Sequence, residues 1–287
     1  MYLKMFKTAV ITGATGWIGS TFESYLKENF PNVTACKANR NMELSSKIEG
    51  EVALFHFAFP TKDKVSGMSL SEYWSSVLTL RGKVVDLIEK IKPTKMVYVS
   101  SGAVFKLGTS EFVETLEEDP YGFLKLEEEK IFSEIASQKG IKLLIPRIFA
   151  LAGGFINKHE LYLLSNFILQ AKKTGKIQIN AKGRVFRSFI HIFDLFEICL
   201  KYFESNLESP YIFETSGEKA LELNDVAFYI AKTLDLKIQI SREFYPNIPE
   251  NNYYAQNNSC ILLLDKLKIK TPRDFEDCIL DAYKFLH

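Results

Sequence analysis

An apolar run near the N-terminus, Thr8-Ala9-Val10-Ile11-Thr12, opens into glycines spaced by three: Gly13-Ala14-Thr15-Gly16-Trp17-Ile18-Gly19. The run predicts a strand covered on both faces, because parallel strands packed between helices are apolar along their length. Phe22, Tyr25, Leu26 and Phe30 follow at helical spacing. A strand, a glycine turn and a helix in that order build an anion site. Gly13 permits the tight turn, Gly16 lets backbone approach a pyrophosphate, and Gly19 lets the helix pack on the sheet with its N-terminus toward the negative charge. The expected ligand is a dinucleotide, with Thr15, Trp17 and Ile18 joining the three glycines as its contacts. The spacing is not the more familiar Gly-x-Gly-x-x-Gly, so the placement between strand and helix carries the reading.

The rest of the composition narrows the partners. The 287 residues carry 36 basic and 35 acidic side chains, a net charge of +1, which argues against a nucleic-acid partner. No uninterrupted apolar run reaches the ~18 residues of a membrane span. The apolar start is broken by Thr12, Gly13, Thr15 and Gly16, so it reads as a first strand rather than a leader. Cys36, Cys199, Cys260 and Cys278 are far apart and form no Cys-x-x-Cys; reduced thiols and a cytoplasmic location are expected. Four scattered histidines give no metal cluster.

Strand and helix patterns alternate over the first 150 residues. Strands are expected at 33–38, 51–59, 95–101 and 141–145, with helices at 73–91 and 120–139. This alternation predicts an α/β fold, a Rossmann-like doubly wound parallel sheet. The pattern then loosens: helices at 161–173, 192–203 and 224–234, strands at 176–180 and 211–214, a loop-rich stretch at 245–259, and a last helix at 275–286. The expected organisation is a dinucleotide-binding domain over 1–150, its sheet completed from within 176–215, and a smaller C-terminal substrate lobe over 151–287.

Only Tyr121 among 13 tyrosines has a lysine four positions later, in Asp119-Pro120-Tyr121-Gly122-Phe123-Leu124-Lys125. Asp119 suits an N-cap and Pro120 the first helical position. Spacing of four puts Tyr121 and Lys125 on one helix face. A phenol of pKa ~10 is a poor acid–base group at neutral pH, and a neighbouring ammonium favours its phenolate. Ser100-Ser101 closes the preceding apolar strand, where a hydroxyl can hold a carbonyl oxygen beside the tyrosine.

Together these pieces resemble the extended short-chain dehydrogenases/reductases of the nucleotide-sugar epimerase/dehydratase type. The resemblance spans nearly the whole chain, through Thr12 to Gly19, His56-Phe57-Ala58, Ser100 to Phe105, Tyr121 to Lys125, Arg147-Ile148-Phe149 and Arg187 to Leu195. It implies that Ser101 and Tyr121 contact the reacting oxygen and that Lys125 also holds the nicotinamide ribose. It implies that Phe57 and Ala58 line the cofactor cleft, that Ile148 and Phe149 lie near the nicotinamide, and that Arg187 binds the substrate diphosphate. It leaves His191 as a satisfied strand histidine and Asp194 as a helix N-cap. A homodimer through the 73–91 and 120–139 helices is a further implication.

Departures from the family pattern refine the expectation. The second strand ends Ala38-Asn39-Arg40-Asn41, without the carboxylate that NAD-preferring members use on the ribose. Arg40 is the expected reader of a 2′-phosphate, hence NADPH, with NAD(H) the alternative. Gly102-Ala103 replaces the acidic pair of the sugar dehydratases, which removes their proton transfers and decarboxylation with them. Ala150 replaces an Asn after Arg-x-Phe, and Ser76-Val77 an Asn-Val pair. The expected activity is an NADPH-dependent ketoreductase for the 4-keto group of a nucleotide-linked 6-deoxyhexose in surface-polysaccharide synthesis. The alternatives are an NAD-dependent 4-epimerase or 4-dehydrogenase, and a non-catalytic dinucleotide sensor.

Overall fold

The computed structural model describes residues 6–269 and 272–286. Its elements begin β1 (Thr8–Thr12), α1 (Trp17–Asn29), β2 (Thr34–Ala38), β3 (Val52–His56), α2 (Lys62–Val65), α3 (Leu70–Ile91), β4 (Lys95–Tyr98) and β5 (Ser100–Ser101). A 3-10 turn at Gly102–Val104 precedes α4 (Pro120–Lys139), β6 (Lys142–Ile148), β7 (Ala150–Ala152) and α5 (Leu163–Thr174). There follow β8 (Lys176–Ile179), β9 (Val185–Arg187), β10 (Phe189–His191), α6 (Ile192–Glu204) and β11 (Tyr211–Glu214). The chain ends with β12 (Leu221–Glu222), α7 (Leu223–Thr233), β13 (Gln239–Arg242), β14 (Asn251–Tyr253), α8 (Ser259–Lys266) and α9 (Phe275–Lys284).

The main sheet runs β11-β6-β4-β3-β1-β2, with β5 added beside β6. The pairs β1–β2, β1–β3, β3–β4 and β4–β6 are parallel. From β1 the chain steps outward to β2 and then returns to lay β3 on the other side, so the order reverses at β1. Ligands of open α/β sheets sit at such a switch point, beyond the strand C-termini. Every residue of β1 and β3 is buried, the Rossmann-like pattern that the unbroken apolar runs imply.

The glycine turn follows from backbone sterics. Gly13 has φ +69°, and a Cβ there would lie 2.7 Å from the Ala58 amide nitrogen. A Cβ on Gly19 would be driven into the Gly13 carbonyl oxygen and within 2.8 Å of the Ala14 Cα. Both positions are restricted by backbone, which cannot swing aside as a side chain can.

Helix ends explain where the pattern reading fell short. The α3 helix starts three residues before position 73, because Ser69 and Glu72 form a reciprocal capping box. It ends at Lys92 in the left-handed region, one residue before Pro93. The outer side of α3 leaves Leu70, Trp74 and Leu78 more than a third exposed at four-residue spacing. The α4 helix has the Asp119 cap and Pro120 start that its sequence implies, and Gly140 ends it in the left-handed region.

Two compact units emerge. The first comprises the chain up to Lys106, Glu111–Arg147 and Cys199–Phe213; the second comprises Leu107–Ser110, Ile148–Ile198 and the chain from Glu214. The second unit packs α5, α7 and α9 around Phe167, Ile168, Ile177, Val226, Ile230 and Ile279. Its short strands pair as β10–β7, β13–β8 and β12-β9-β14. β7, β9, β10, β12, β13 and β14, each of two to four residues, lie outside the strands that the sequence pattern predicts. The four cysteines are buried thiols. Among the described residues no helix is long and apolar enough to cross a membrane.

Gly19→Ala is expected to cost about 1–3 kcal/mol of stability, since overpacking against fixed backbone forces a shift of α1. Urea unfolding would measure it, and an unchanged midpoint would show that the helix has room to move.

Candidate active site

The dinucleotide-type cradle lies in the first unit. Gly16 is the N-cap of α1, and no side chain caps the helix. Thr15 and Gly16 are exposed, whereas the Trp17 ring is 3% exposed and packs inward. What Trp17 offers at the helix start is therefore backbone, beside Ile18 and Gly19. The neighbouring strand end is locked to this turn. The Thr12 hydroxyl accepts the Ala58 amide at 3.3 Å and meets His56 Nδ1 at 2.7 Å. The Phe57 ring lies perpendicular to that of Phe22, with centroids 5.6 Å apart. Burial pushes the buried His56 imidazole down to about 3, so it is neutral.

After β2 the chain turns through Asn39, whose side-chain oxygen accepts the Asn41 and Glu43 amides. Glu43, the carboxylate of this turn, is engaged by the Asn39 amide nitrogen at 2.7 Å. Arg40 is exposed at the tip. Lys83 of α3 donates to the Arg40 carbonyl at 3.1 Å and to the Asn41 side chain at 3.3 Å, a second cation that the sequence reading missed.

The Ser-Tyr-Lys group is assembled by α4 against the turn after β5. The two serines diverge. Ser100 donates to Glu129 Oε1 at 2.5 Å and is spent on structure. Ser101 turns toward the 3-10 turn and accepts the Ala103 amide at 3.2 Å. Gly122 is the residue that lets this happen, because any Cβ there would overlap the Ala103 carbonyl oxygen. The tyrosine's own turn can therefore lie directly on Ser101-Gly102-Ala103. Asp119 fixes that turn by accepting the Tyr121 and Gly122 amides at 3.1 and 3.0 Å.

Lys125 is buried, 3% exposed, and donates to the Val99 carbonyl at 2.7 Å. Its ammonium lies 3.9 Å from the Phe59 ring centroid, 4.9 Å from that of Tyr98 and 6.0 Å from that of Tyr121. Tyrosine and lysine share a face, as the spacing implies, yet the ammonium rests on backbone and on Phe59 rather than on the phenol ring. Burial pushes the lysine down to about 7, opposed by the Glu128 and Glu129 carboxylates. These two glutamates, three and four residues beyond Lys125, are each 2% exposed. Glu128 pairs with Arg81 at 2.5 Å, and Glu129 takes a bidentate grip from Arg147. Burial raises the Glu128 carboxyl, and Arg81 opposes the rise.

The second unit holds the other expected residues. Ile148 closes β6, half-buried. The Phe149 amide donates to the Thr215 hydroxyl at 3.2 Å, and its ring lies 5.1 Å from that of Tyr253. Arg187 ends β9 opposite Tyr253 in the ladder. It donates to the Asn251 side chain at 2.9 Å and sits 5.3 Å from the Tyr253 ring. Asn251 and Tyr253 fall in the stretch the sequence presents as loop. Asp194 is not the N-cap: it lies inside α6, and its carboxylate takes both the amide and the guanidinium of Arg273. The cap belongs to His191, whose Nδ1 accepts the Phe193 amide at 3.1 Å while Nε2 meets Asp281. Among the described residues no His, Cys, Asp and Glu cluster could hold a metal.

The buried lysine sets a pH dependence. Below pH 7 both folded and unfolded chains carry the proton, and the full cost of burying the charge is present. Between about 7 and the unfolded value near 10.4 the unfolded chain binds more protons, so this group's contribution to stability rises with pH. Lys125→Met should therefore gain most over the native chain at pH 6, with the gap narrowing by pH 9 in urea unfolding. A constant gap would mean that Lys125 keeps its ordinary pKa.

With this geometry in hand, comparison with known proteins adds the family. The UDP-glucose 4-epimerase of Mycoplasma genitalium is 25% identical over 97% of this chain and 96% of its own. The solved UDP-N-acetylglucosamine 4-epimerase of Methanobrevibacter ruminantium, in complex with UDP-N-acetylmuramic acid, superposes with a TM-score of 0.75 at 19% identity over 98% of each chain. The protein RMD of Pseudomonas aeruginosa, complexed with NADPH, does so with a TM-score of 0.74 at 14% identity over 97% of this chain and 98% of its own. At those identities the structural likeness carries the fold. Residues 9–214 match the NAD dependent epimerase/dehydratase family, and the chain belongs to that family of extended short-chain dehydrogenase/reductase enzymes.

Proposed function

We propose that the protein is an NADPH-dependent reductase of the 4-keto group of a nucleotide-linked hexose. The observation that carries this is the turn after β2, with Arg40 exposed, Lys83 anchored beside it, and its one carboxylate, Glu43, engaged by Asn39. A 2′-phosphate suits two cations, and a ribose hydroxyl pair would want a carboxylate. The Gly13-to-Gly19 turn fits a pyrophosphate, since a Cβ is excluded at Gly13 and no side chain caps α1. When bound, the nicotinamide supplies the hydride.

The chain's own residues handle the oxygen and its proton. Ser101 holds the carbonyl oxygen, Tyr121 delivers a proton to the developing alkoxide, and Lys125 supports the phenolate left behind and holds the ribose. Gly102 and Ala103 offer no proton to the neighbouring carbon, so the chemistry stays at one carbon. In the second unit Arg187, aimed by Asn251 and Tyr253, supplies the guanidinium fork for a diphosphate. The 4-epimerase reading is the second one. The same three residues serve it, and the 25%-identical Mycoplasma relative favours it.

Absorbance at 340 nm with NADPH or NADH and a panel of nucleotide-linked 4-keto-6-deoxy sugars tests the proposal. NADPH consumption is expected. Interconversion of UDP-glucose and UDP-galactose with retained NAD would replace the reductase by the epimerase. Arg40→Ala should lower the NADPH preference by roughly tenfold or more, the scale of one charge-assisted contact; an unchanged ratio of efficiencies removes Arg40 as the reader. Tyr121→Phe should lose at least ~100-fold in turnover, the scale of general acid catalysis, with cofactor binding kept. A fully active variant would remove the mechanism.

A further inference from the structure

Phe59 has no part in the mechanism above, yet its ring meets both working side chains. Its face carries the Lys125 ammonium at 3.9 Å, and its perpendicular contact with the Tyr121 ring has centroids 5.6 Å apart at 85°. It follows Ala58 directly, beyond the end of β3, so it leaves the sheet at the switch point. Its position is held by a small apolar cluster of Tyr73, Val77 and Leu124, with Val65 and Phe123 alongside. Tyr73 is pinned in turn by its hydroxyl on the Pro60 carbonyl at 2.7 Å. This mount leaves the ring no reason to wander from the ammonium.

We propose that Phe59 is a positioning residue for the proton-transfer pair, holding the Lys125 ammonium charged and seated with its ring face and bracing the Tyr121 ring through their perpendicular contact. The physical case is one of substitution. An ammonium taken out of water needs other partners, and the Val99 carbonyl supplies one hydrogen bond. The π-face of an aromatic ring attracts a cation most strongly where water is excluded. The other groups facing Lys125 are Tyr98 from β4, Tyr121 on its own helix, the carboxylates of Glu128 and Glu129, and the neutral His56 imidazole of β3. Both carboxylates are already engaged by Arg81 and Arg147. The ring is therefore a distinct source of support for the charge, and it lowers the freedom of the phenol at the same time.

The proposal rests on the reading that Lys125 meets the nicotinamide ribose, and the experiment separates the two. NADPH and NADH binding to the full-length protein, stripped of any retained nucleotide, is titrated from pH 6 to 9.5 for the native chain, Phe59→Leu, Phe59→Ala and Lys125→Met. Native binding should weaken above a transition near neutral pH as the ammonium is lost. Phe59→Leu keeps the cover but removes the π-face, so the transition should fall by roughly half to one pH unit. Phe59→Ala admits water to the ammonium, so the transition should rise instead. Opposite shifts are what a space-filling role would not produce; thermal unfolding of each variant confirms that it is folded. Unmoved transitions in both folded Phe59 variants would overturn the role of Phe59. Lys125→Met binding NADPH as tightly as the native chain, with no pH transition in either, would overturn the ribose reading itself.

Discussion

One buried ammonium organises the first unit's chemistry. Placing Lys125 out of water carries a cost that hydrophobic packing cannot offset, and the surroundings are built around that cost. A main-chain oxygen, two aromatic faces and two carboxylates converge on it. Each carboxylate is itself buried and would be untenable alone, so Arg81 arrives from α3 and Arg147 from β6. Charges thus alternate outward from the lysine through three elements. Removing Arg81 or Arg147 leaves its glutamate as an uncompensated buried charge, which is costlier than the loss of that pair as a whole.

The same logic separates the paired serines. In Ser100-Ser101 the two side chains leave the strand in opposite directions, as period-two geometry requires. Ser100 is drawn into the Glu129–Arg147 group, and Ser101 is left to the 3-10 turn, whose Ala103 carbonyl lies against Gly122. A residue pair that looks redundant in the sequence is one hydroxyl tied to a buried carboxylate and one that accepts the amide of its own turn.

Much of this was legible beforehand, for identifiable reasons. The glycine turn and the Asp119-Pro120 helix start are local, so backbone sterics and capping announce them. The parallel order of the main sheet follows from long apolar runs such as those of β1 and β3. What escaped depends on contacts distant in sequence. Nothing near Gly122 says that the Ala103 carbonyl lies against it. Nothing near Asn251 says that it steadies a guanidinium 64 residues earlier. Glu128 and Glu129 look like solvated helix surface until Arg81 and Arg147 are brought to them. Asp194 followed the usual statistics for an acid at a helix start, and the capping role went to the histidine one residue before the helix.

The missing side chain at Gly122 carries a consequence for enzyme engineering. The location of Tyr121 is set by the residue next to it, where the Ala103 carbonyl occupies the space a Cβ would need. Grafting Tyr-x-x-x-Lys onto a helix of another scaffold would reproduce the spacing of the two groups but not their depth. With an ordinary residue after the tyrosine, the helix could not lie against the Ala103 carbonyl, and the start of α4 would stand further from the Ser101-Gly102-Ala103 turn. The transferable unit is a tripartite interlock of Asp119, Gly122 and the Ser101-Gly102-Ala103 turn, not the tyrosine and lysine by themselves.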